Sequence, residues 1–293
     1  MQSDNVKQEV NFFITDLDDT LWDWLEMWYN SFNPYLERIS KETQIDRSKL
    51  IDNFKELHQK YGTTEMSFAY KELPIIPSEF YPFFENSNGQ NRSILHEYYS
   101  NKKNNLKLYD RVLSTLQTIK SNGTVVVAFT ESYLFFTKYR IKHLGLDGLI
   151  DCIYSPEGMD IPQTVYKHYP EEYWEPQITK FKSLPNDTRK PNPEILLEII
   201  ADFKADTSKS IYIGDKLDRD VYMAQQANIT SIHAKYGHII DTDKYELLRN
   251  VTHWTNDDVI REKQFKDSPK TIKPDYEIDD FSEILNLFNF TKF

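Results

Sequence analysis

The chain has 293 residues, 39% of them hydrophobic and 14% aromatic, which suffices for a sizeable core and for two domains or one domain carrying a large insert. Lys and Arg total 35 against 46 Asp and Glu, and the formal charge of −11 repels a phosphate backbone, so general nucleic-acid binding is not expected and an anionic ligand must find a local cation. The single cysteine, Cys152, rules out an intrachain disulfide or a cysteine metal cluster. Residues 1–11 lack the apolar run of a signal peptide, and no stretch approaches the roughly 18 apolar residues that span a bilayer, so the expectation is a soluble cytoplasmic protein without a membrane partner.

Residues 11–16 form an apolar strand that runs directly into Asp16, Asp18 and Asp19. Helical periodicity follows at once, with Trp22, Leu25, Trp28, Phe32, Leu36 and Ile39 at three- and four-residue steps and a second set at Leu50, Phe54, Leu57 and Tyr61. Prolines 74, 77 and 82 and a polar loop at 86–91 interrupt the stretch before helix resumes near Ser93. No strand pattern is present over 22–107, which predicts a helical insert. From there helix and strand alternate. Helix is predicted from Val112 to the Asn122-Gly123 stop, a buried β-branched strand over 124–130, helix over 133–144 and strand over 149–154. Helix over 193–203, strand over 210–214, helix over 218–227 and strand over 230–234 complete the pattern, with a late edge strand at 276–278 and a closing helix to about Leu287. Such alternation predicts right-handed βαβ crossovers in a doubly wound, Rossmann-like parallel sheet, with the core formed by residues 1–21 and 108–293 and an inserted helical cap domain at 22–107. Residues 156–189 carry prolines and aromatics without a clean period, and a connection of that length suggests a functional or interaction segment.

In open α/β sheets, sites form beyond the carboxyl ends of the strands. Asp16 and Asp18 leave the first strand on one face, close enough to repel unless a divalent cation or a shared proton relieves them. The next strand delivers Thr130, Glu131 and Ser132. Lys190 precedes the helix at 193, and the strand at 210–214 ends in Asp215 with Asp218 and Asp220 after it. A hydroxyl and a lysine suit a phosphoryl group, and the carboxylates suit Mg²⁺, a hard cation that prefers oxygen ligands. The histidines show no metal-ligand spacing, and neither a G-x-S-x-G elbow nor a G-x-x-x-x-G-K-S/T loop is present. The Trp22, Trp24 and Trp28 stripe reads first as helix core, although Trp22 sits on the turn that opens from Asp18.

Taken together, these motifs resemble the haloacid dehalogenase (HAD) superfamily in its phosphatase branch with a helical C1-type cap. Asp16-Leu17-Asp18-Asp19-Thr20 is similar to its D-x-D-x-T motif, Thr130 to the second motif, Lys190 before Pro191 to the third, and Gly214-Asp215 with Asp220 to the fourth. The resemblance implies Asp16 as a nucleophile that becomes an aspartyl phosphate, and Asp18 as acid and then base. It implies Mg²⁺ held by Asp16, the Asp18 carbonyl and Asp215, Thr130 as a phosphate ligand, and Lys190 as the countercharge. Asp220 would orient Lys190 or support the metal. An acid at position 18 favours phosphate esters over carbon–halogen or phosphonate bonds. Glu131 departs from the Asn or Gly often found there and either points away or reads a positive group on the substrate. The implied function is a Mg²⁺-dependent phosphatase acting on a small phosphorylated metabolite; a phosphomutase and a non-catalytic binding protein on the same fold are the alternatives. Sugar phosphate, nucleotide and phosphoglycolate all stay open as substrates, and the insert is the expected place where the choice is made.

Overall fold

A computed structural model describes residues 7–87, 92–160, 170–237, 242–254, 260 and 272–293. Strands β1 (Gln8–Val10), β2 (Phe12–Thr15), β3 (Val125–Phe129), β4 (Cys152–Pro156), β5 (Lys180–Leu184), β6 (Ser210–Gly214), β7 (Thr230–Ala234), β8 (Tyr276–Ile278) and β9 (Phe288–Phe290) follow in chain order. Seven of them form one sheet in the order β5-β4-β3-β2-β6-β7-β8, with every pairing parallel. Strands β1 and β9 make a separate parallel pair. The expected doubly wound α/β core is therefore present.

The central strands are buried on both faces, which explains their near-continuous Phe, Ile and Val content. Phe12, Ile14, Val127, Phe129 and Tyr212 pack with Leu196 and Ile199 of the helix Pro193–Phe203, whose amide end is capped by the Asn192 side chain. Burying a side chain of this size stabilises by roughly 1.5–3 kcal/mol, so these layers anchor the strand ends that follow.

By Cα packing, the chain separates into two compact units, Met1–Asp23 with Leu108–Ile239 and Pro269–Phe293, and Trp24–Lys107 with Ile240–Ser268. In the second unit, the helix Trp24–Thr43 buries Leu25, Trp28, Phe32, Tyr35, Leu36 and Ile39 along one stripe. Trp28 stacks on Phe32 with ring centroids 5.1 Å apart, and Tyr35 meets Tyr98 of the helix Ile94–Asn105 at the same separation.

Two segments differ from the sequence expectation. Of residues 238–272, all expected within the sheet domain, 242–254, 260 and 272 are among the described residues and the others lie outside them. The helix Thr242–Val251 instead packs on the helices Trp24–Thr43 and Arg47–Tyr61. Leu247, Leu248 and Val251 are buried there, Lys244 pairs with Glu26 at 2.7 Å, and the Val251 carbonyl lies 2.6 Å from Nδ1 of His58. Within 156–189, β5 is a fifth strand that no periodicity announced. It is a sheet edge with Lys180 and Lys182 among five residues, the composition by which edges avoid further pairing, and such a strand lacks an apolar signal. Residues 161–169 of that segment lie outside the described residues. Cys152 opens β4 and is half-buried beside the core.

Candidate active site

The chain runs from β2 outward through β3, β4 and β5, then returns to the other side of β2 through β6, β7 and β8. That reversal makes the carboxyl ends of β3, β2 and β6 the switch point of the sheet, where a crevice is expected. Asp16 follows β2 directly, and its backbone N–H donates to the Ile213 carbonyl of β6 at 2.8 Å. Thr130 follows β3, and Asp215 follows β6.

Three carboxylates, Asp16, Asp215 and Asp220, are buried here with ligand oxygens all within 4.8 Å of one another. Lys190, 3% exposed, donates to Asp16 Oδ1 and, at 2.9 Å, to Asp220 Oδ1. Thr20 Oγ1 donates to the other Asp16 oxygen at 3.1 Å. Burial holds the Asp16 carboxyl above its ordinary range; Lys190 pulls it down, and the Asp220 and Asp215 charges push it up. Burial pushes Asp220 upward as well, but Lys190 and the Tyr212 hydroxyl (2.8 Å) hold it below the usual carboxylate value. The Lys216 backbone N–H completes the Asp220 shell at 3.1 Å, so this carboxylate is spent on orienting Lys190. Against the pull of desolvation, Asp16 and Asp220 keep Lys190 protonated. Lys216 Nζ lies 2.8 Å from Asp215 Oδ2, and His233 Nε2 is 3.1 Å from the Asp215 carbonyl.

The donor set fits a hard divalent cation. It is all oxygen, mostly carboxylate, and buried, and the mutual repulsion of three such groups is what a cation relieves. Asp16 and Asp215 would hold it. The Asp18 carboxylate does not join them. Its Oδ1 accepts from the Trp22 indole N–H at 2.7 Å and from Arg140 Nη1 at 3.1 Å.

Asp18 and Asp19 lie on a tight loop. Asp19 adopts φ 59°, its N–H donates to the Trp22 carbonyl, and Leu21 N–H returns to the Leu17 carbonyl. Gly237 backs this loop so closely that a Cβ there would stand 1.7 Å from the Asp19 carbonyl oxygen. Gly214 is held to glycine in the same way, since a Cβ would stand 2.3 Å from Asp220 Cγ. The residues 217–221 form a π-helical turn, an irregularity common at functional sites, and it places Asp220 under β6.

Thr130 is buried, and its Oγ1 accepts from Ser132 N–H at 3.1 Å. Glu131 is part of a brace: Oε1 accepts from the Lys190 backbone N–H and Oε2 from Arg219 Nη1, both at 3.2 Å. Both carboxylate oxygens of Glu131 are thus engaged by protein donors. Sequence reasoning missed Arg140, Tyr212, Lys216 and Arg219. A signal for Arg140 was present, since a charged side chain falls on the buried stripe of its helix with Phe136, Thr137 and Ile141.

Comparison with known proteins accords with this geometry. The family description "haloacid dehalogenase-like hydrolase" matches residues 10–228, and a second HAD-hydrolase-like description matches 187–284. A glyceraldehyde 3-phosphate phosphatase of Methanopyrus kandleri is 21% identical over 93% of this chain and 94% of its own length. A HAD phosphatase of Thermococcus onnurineus superposes with a TM-score of 0.54 at 14% identity, covering 97% of this chain and all of the other. A HAD hydrolase of Bacillus subtilis bound to magnesium gives 0.51 at 13% identity, over 96% and 99% of the two chains.

Proposed function

Because the chain belongs to the haloacid dehalogenase-like hydrolases, we propose that it is a Mg²⁺-dependent phosphatase that cleaves a small phosphorylated metabolite through an aspartyl phosphate on Asp16. The observation that carries this reading is the buried Asp16 carboxylate, ending the central strand between a lysine and two further aspartates.

Asp16 attacks phosphorus, the bond from phosphorus to the ester oxygen breaks, and Asp18 gives a proton to the departing oxygen. Water then attacks the aspartyl phosphate, Asp18 takes its proton, and phosphate leaves as the Asp16 carboxylate is restored. Splitting hydrolysis in this way replaces one slow displacement by two easier ones. Thr130 Oγ1, which accepts from Ser132, keeps its own hydrogen for a phosphoryl oxygen. Lys190, held by Asp220, which in turn accepts from the Tyr212 hydroxyl, offsets charge on nucleophile and phosphoryl group without a change of position. Asp16 and Asp215 would hold Mg²⁺, which would supply charge stabilisation during phosphoryl transfer. The phosphatase relative supports a phosphorylated carbohydrate as the substrate class.

The test is phosphate release over a panel of phosphomonoesters by the metal-loaded protein, with Asp16→Asn alongside. Release from at least one ester, abolished in the variant, is expected. An Asp16→Asn protein with near wild-type turnover would falsify the assignment.

A further inference from the structure

The guanidinium of Arg140 is fully buried, and it faces the Asp18 carboxylate. Nη1 lies 3.1 Å from Asp18 Oδ1 and 3.4 Å from Oδ2. The same nitrogen donates to Ser132 Oγ at 2.7 Å. Ser132 is itself fixed, because its carbonyl accepts from Ser155 Oγ at 2.7 Å and its N–H donates to Thr130 Oγ1. On the other side the Trp22 indole, fully buried, donates to Asp18 Oδ1 at 2.7 Å. A chain of contacts thus runs from the Thr130 loop through Ser132 and Arg140 to Asp18, closed by Trp22.

Stability alone is a poor explanation for this arrangement. Desolvating a guanidinium is costly, and an apolar side chain of like size would fill the space without that cost. The contacts do fix the direction of a carboxylate on a short loop. Proton transfer depends steeply on that direction, since a displacement of about 1 Å can cost a hundredfold in rate.

We propose that Arg140 is a positioning residue that, tied to Ser132 and helped by the Trp22 indole, fixes the Asp18 carboxylate for proton transfer in both half-reactions. The proposal rests on the acid–base role of Asp18 put forward above. It adds two side chains that were not among the expected site residues and gives one of the tryptophans after the first motif a part in the chemistry.

The experiment uses p-nitrophenyl phosphate, whose leaving group needs no proton, with the metal-loaded full chain and the variants Arg140→Met, Arg140→Lys, Trp22→Phe and Asp18→Asn. Rapid mixing separates the first release of nitrophenolate from steady turnover. If Arg140 acts through Asp18, Arg140→Met and Trp22→Phe release close to one equivalent in a fast burst and then turn over about ten- to a hundredfold more slowly than wild type. Asp18→Asn gives the same pattern, and Arg140→Lys recovers part of the loss. Trp22→Phe removes one N–H while keeping a ring, so it carries the test if Arg140→Met does not fold. Burst and steady rates that fall together, or turnover that does not fall, overturn the proposal. A burst in Asp18→Asn without one in the Arg140 and Trp22 variants overturns it alone. Undiminished turnover in Asp18→Asn overturns the acid–base reading and the proposal with it.

Discussion

His58 makes the stability of the helical unit depend on pH in a way that can be calculated. The ring is fully buried between Phe32 and Phe54, with centroids 5.7 and 5.6 Å away. Its Nδ1 meets the Val251 carbonyl and therefore carries the hydrogen, while Nε2 is buried with no hydrogen-bond partner among the described residues. Protonation puts a second N–H, and a charge, where nothing accepts it. Burial accordingly pulls His58 down from 6.5 to about 4, against the opposing pull of the Val251 bond. The folded pKa is depressed, so the unfolded chain binds the proton more readily and stability falls as pH falls from 6.5 toward 4. Linkage converts the full shift to about 3.4 kcal/mol, of which about 2 kcal/mol is lost between pH 7 and pH 5. The assay is urea denaturation at those two pH values, read by hydrogen exchange of amides in the helix Arg47–Tyr61. His58→Phe supplies the reference. It costs roughly 1–3 kcal/mol at pH 7 by leaving the Val251 carbonyl without its donor, but it removes this group's pH dependence. Equal losses of stability in wild type and His58→Phe between pH 7 and pH 5 would refute a His58 origin of the pH dependence.

Four further outcomes are expected. Asp16→Asn should abolish turnover while leaving thermal unfolding near that of the wild type, checked by phosphate release and circular dichroism. Dialysis against a chelator should remove activity and Mg²⁺ should restore it, with calorimetric Mg²⁺ binding lost in Asp215→Asn; full activity in excess chelator would contradict the cation site. Arg219→Gln should raise KM for a dianionic ester severalfold by removing the countercharge of Glu131, and adding Glu131→Gln should recover much of it; an Arg219→Gln protein with unchanged KM would show that the brace has no bearing on phosphate. Gly237→Ala should cost at least about tenfold in turnover, because its Cβ displaces the Asp19 carbonyl and with it the loop carrying Asp18, and an enzyme of unchanged rate would show that the loop yields freely.

Much of the sheet could be read from sequence because parallel strands buried on both faces must be continuously apolar. The strands at 210–214, 230–234 and 276–278 coincide with their expected spans, and those beginning at Phe12 and Val125 lie within theirs. The edge strand Lys180–Leu184 escaped because an edge needs only one apolar face and keeps lysines outward. The partners of the helix Thr242–Val251 were not legible, since an amphipathic stripe says that something is covered and not what covers it. Asp16, Thr130, Lys190 and Asp215 were legible because each stands where a strand or helix begins or ends. The Glu131–Arg219 brace and the Arg140–Asp18 contact were not, because they join residues 88 and 122 positions apart that only the folded sheet brings together.

The helical unit takes its chain from two places, Trp24–Lys107 and Ile240–Ser268, with the body of the sheet encoded between them. A ribosome that has released the first of these pieces has made helices whose covering partner does not yet exist. His58, packed between Phe32 and Phe54, must wait for the Val251 carbonyl through the synthesis of almost two hundred further residues. Throughout that interval the nascent chain exposes apolar surface that a folding factor can recognise. The same layout means that excising 24–107 as an independent fragment yields an incomplete fold, whereas supplying 240–268 on a tether should allow the unit to close.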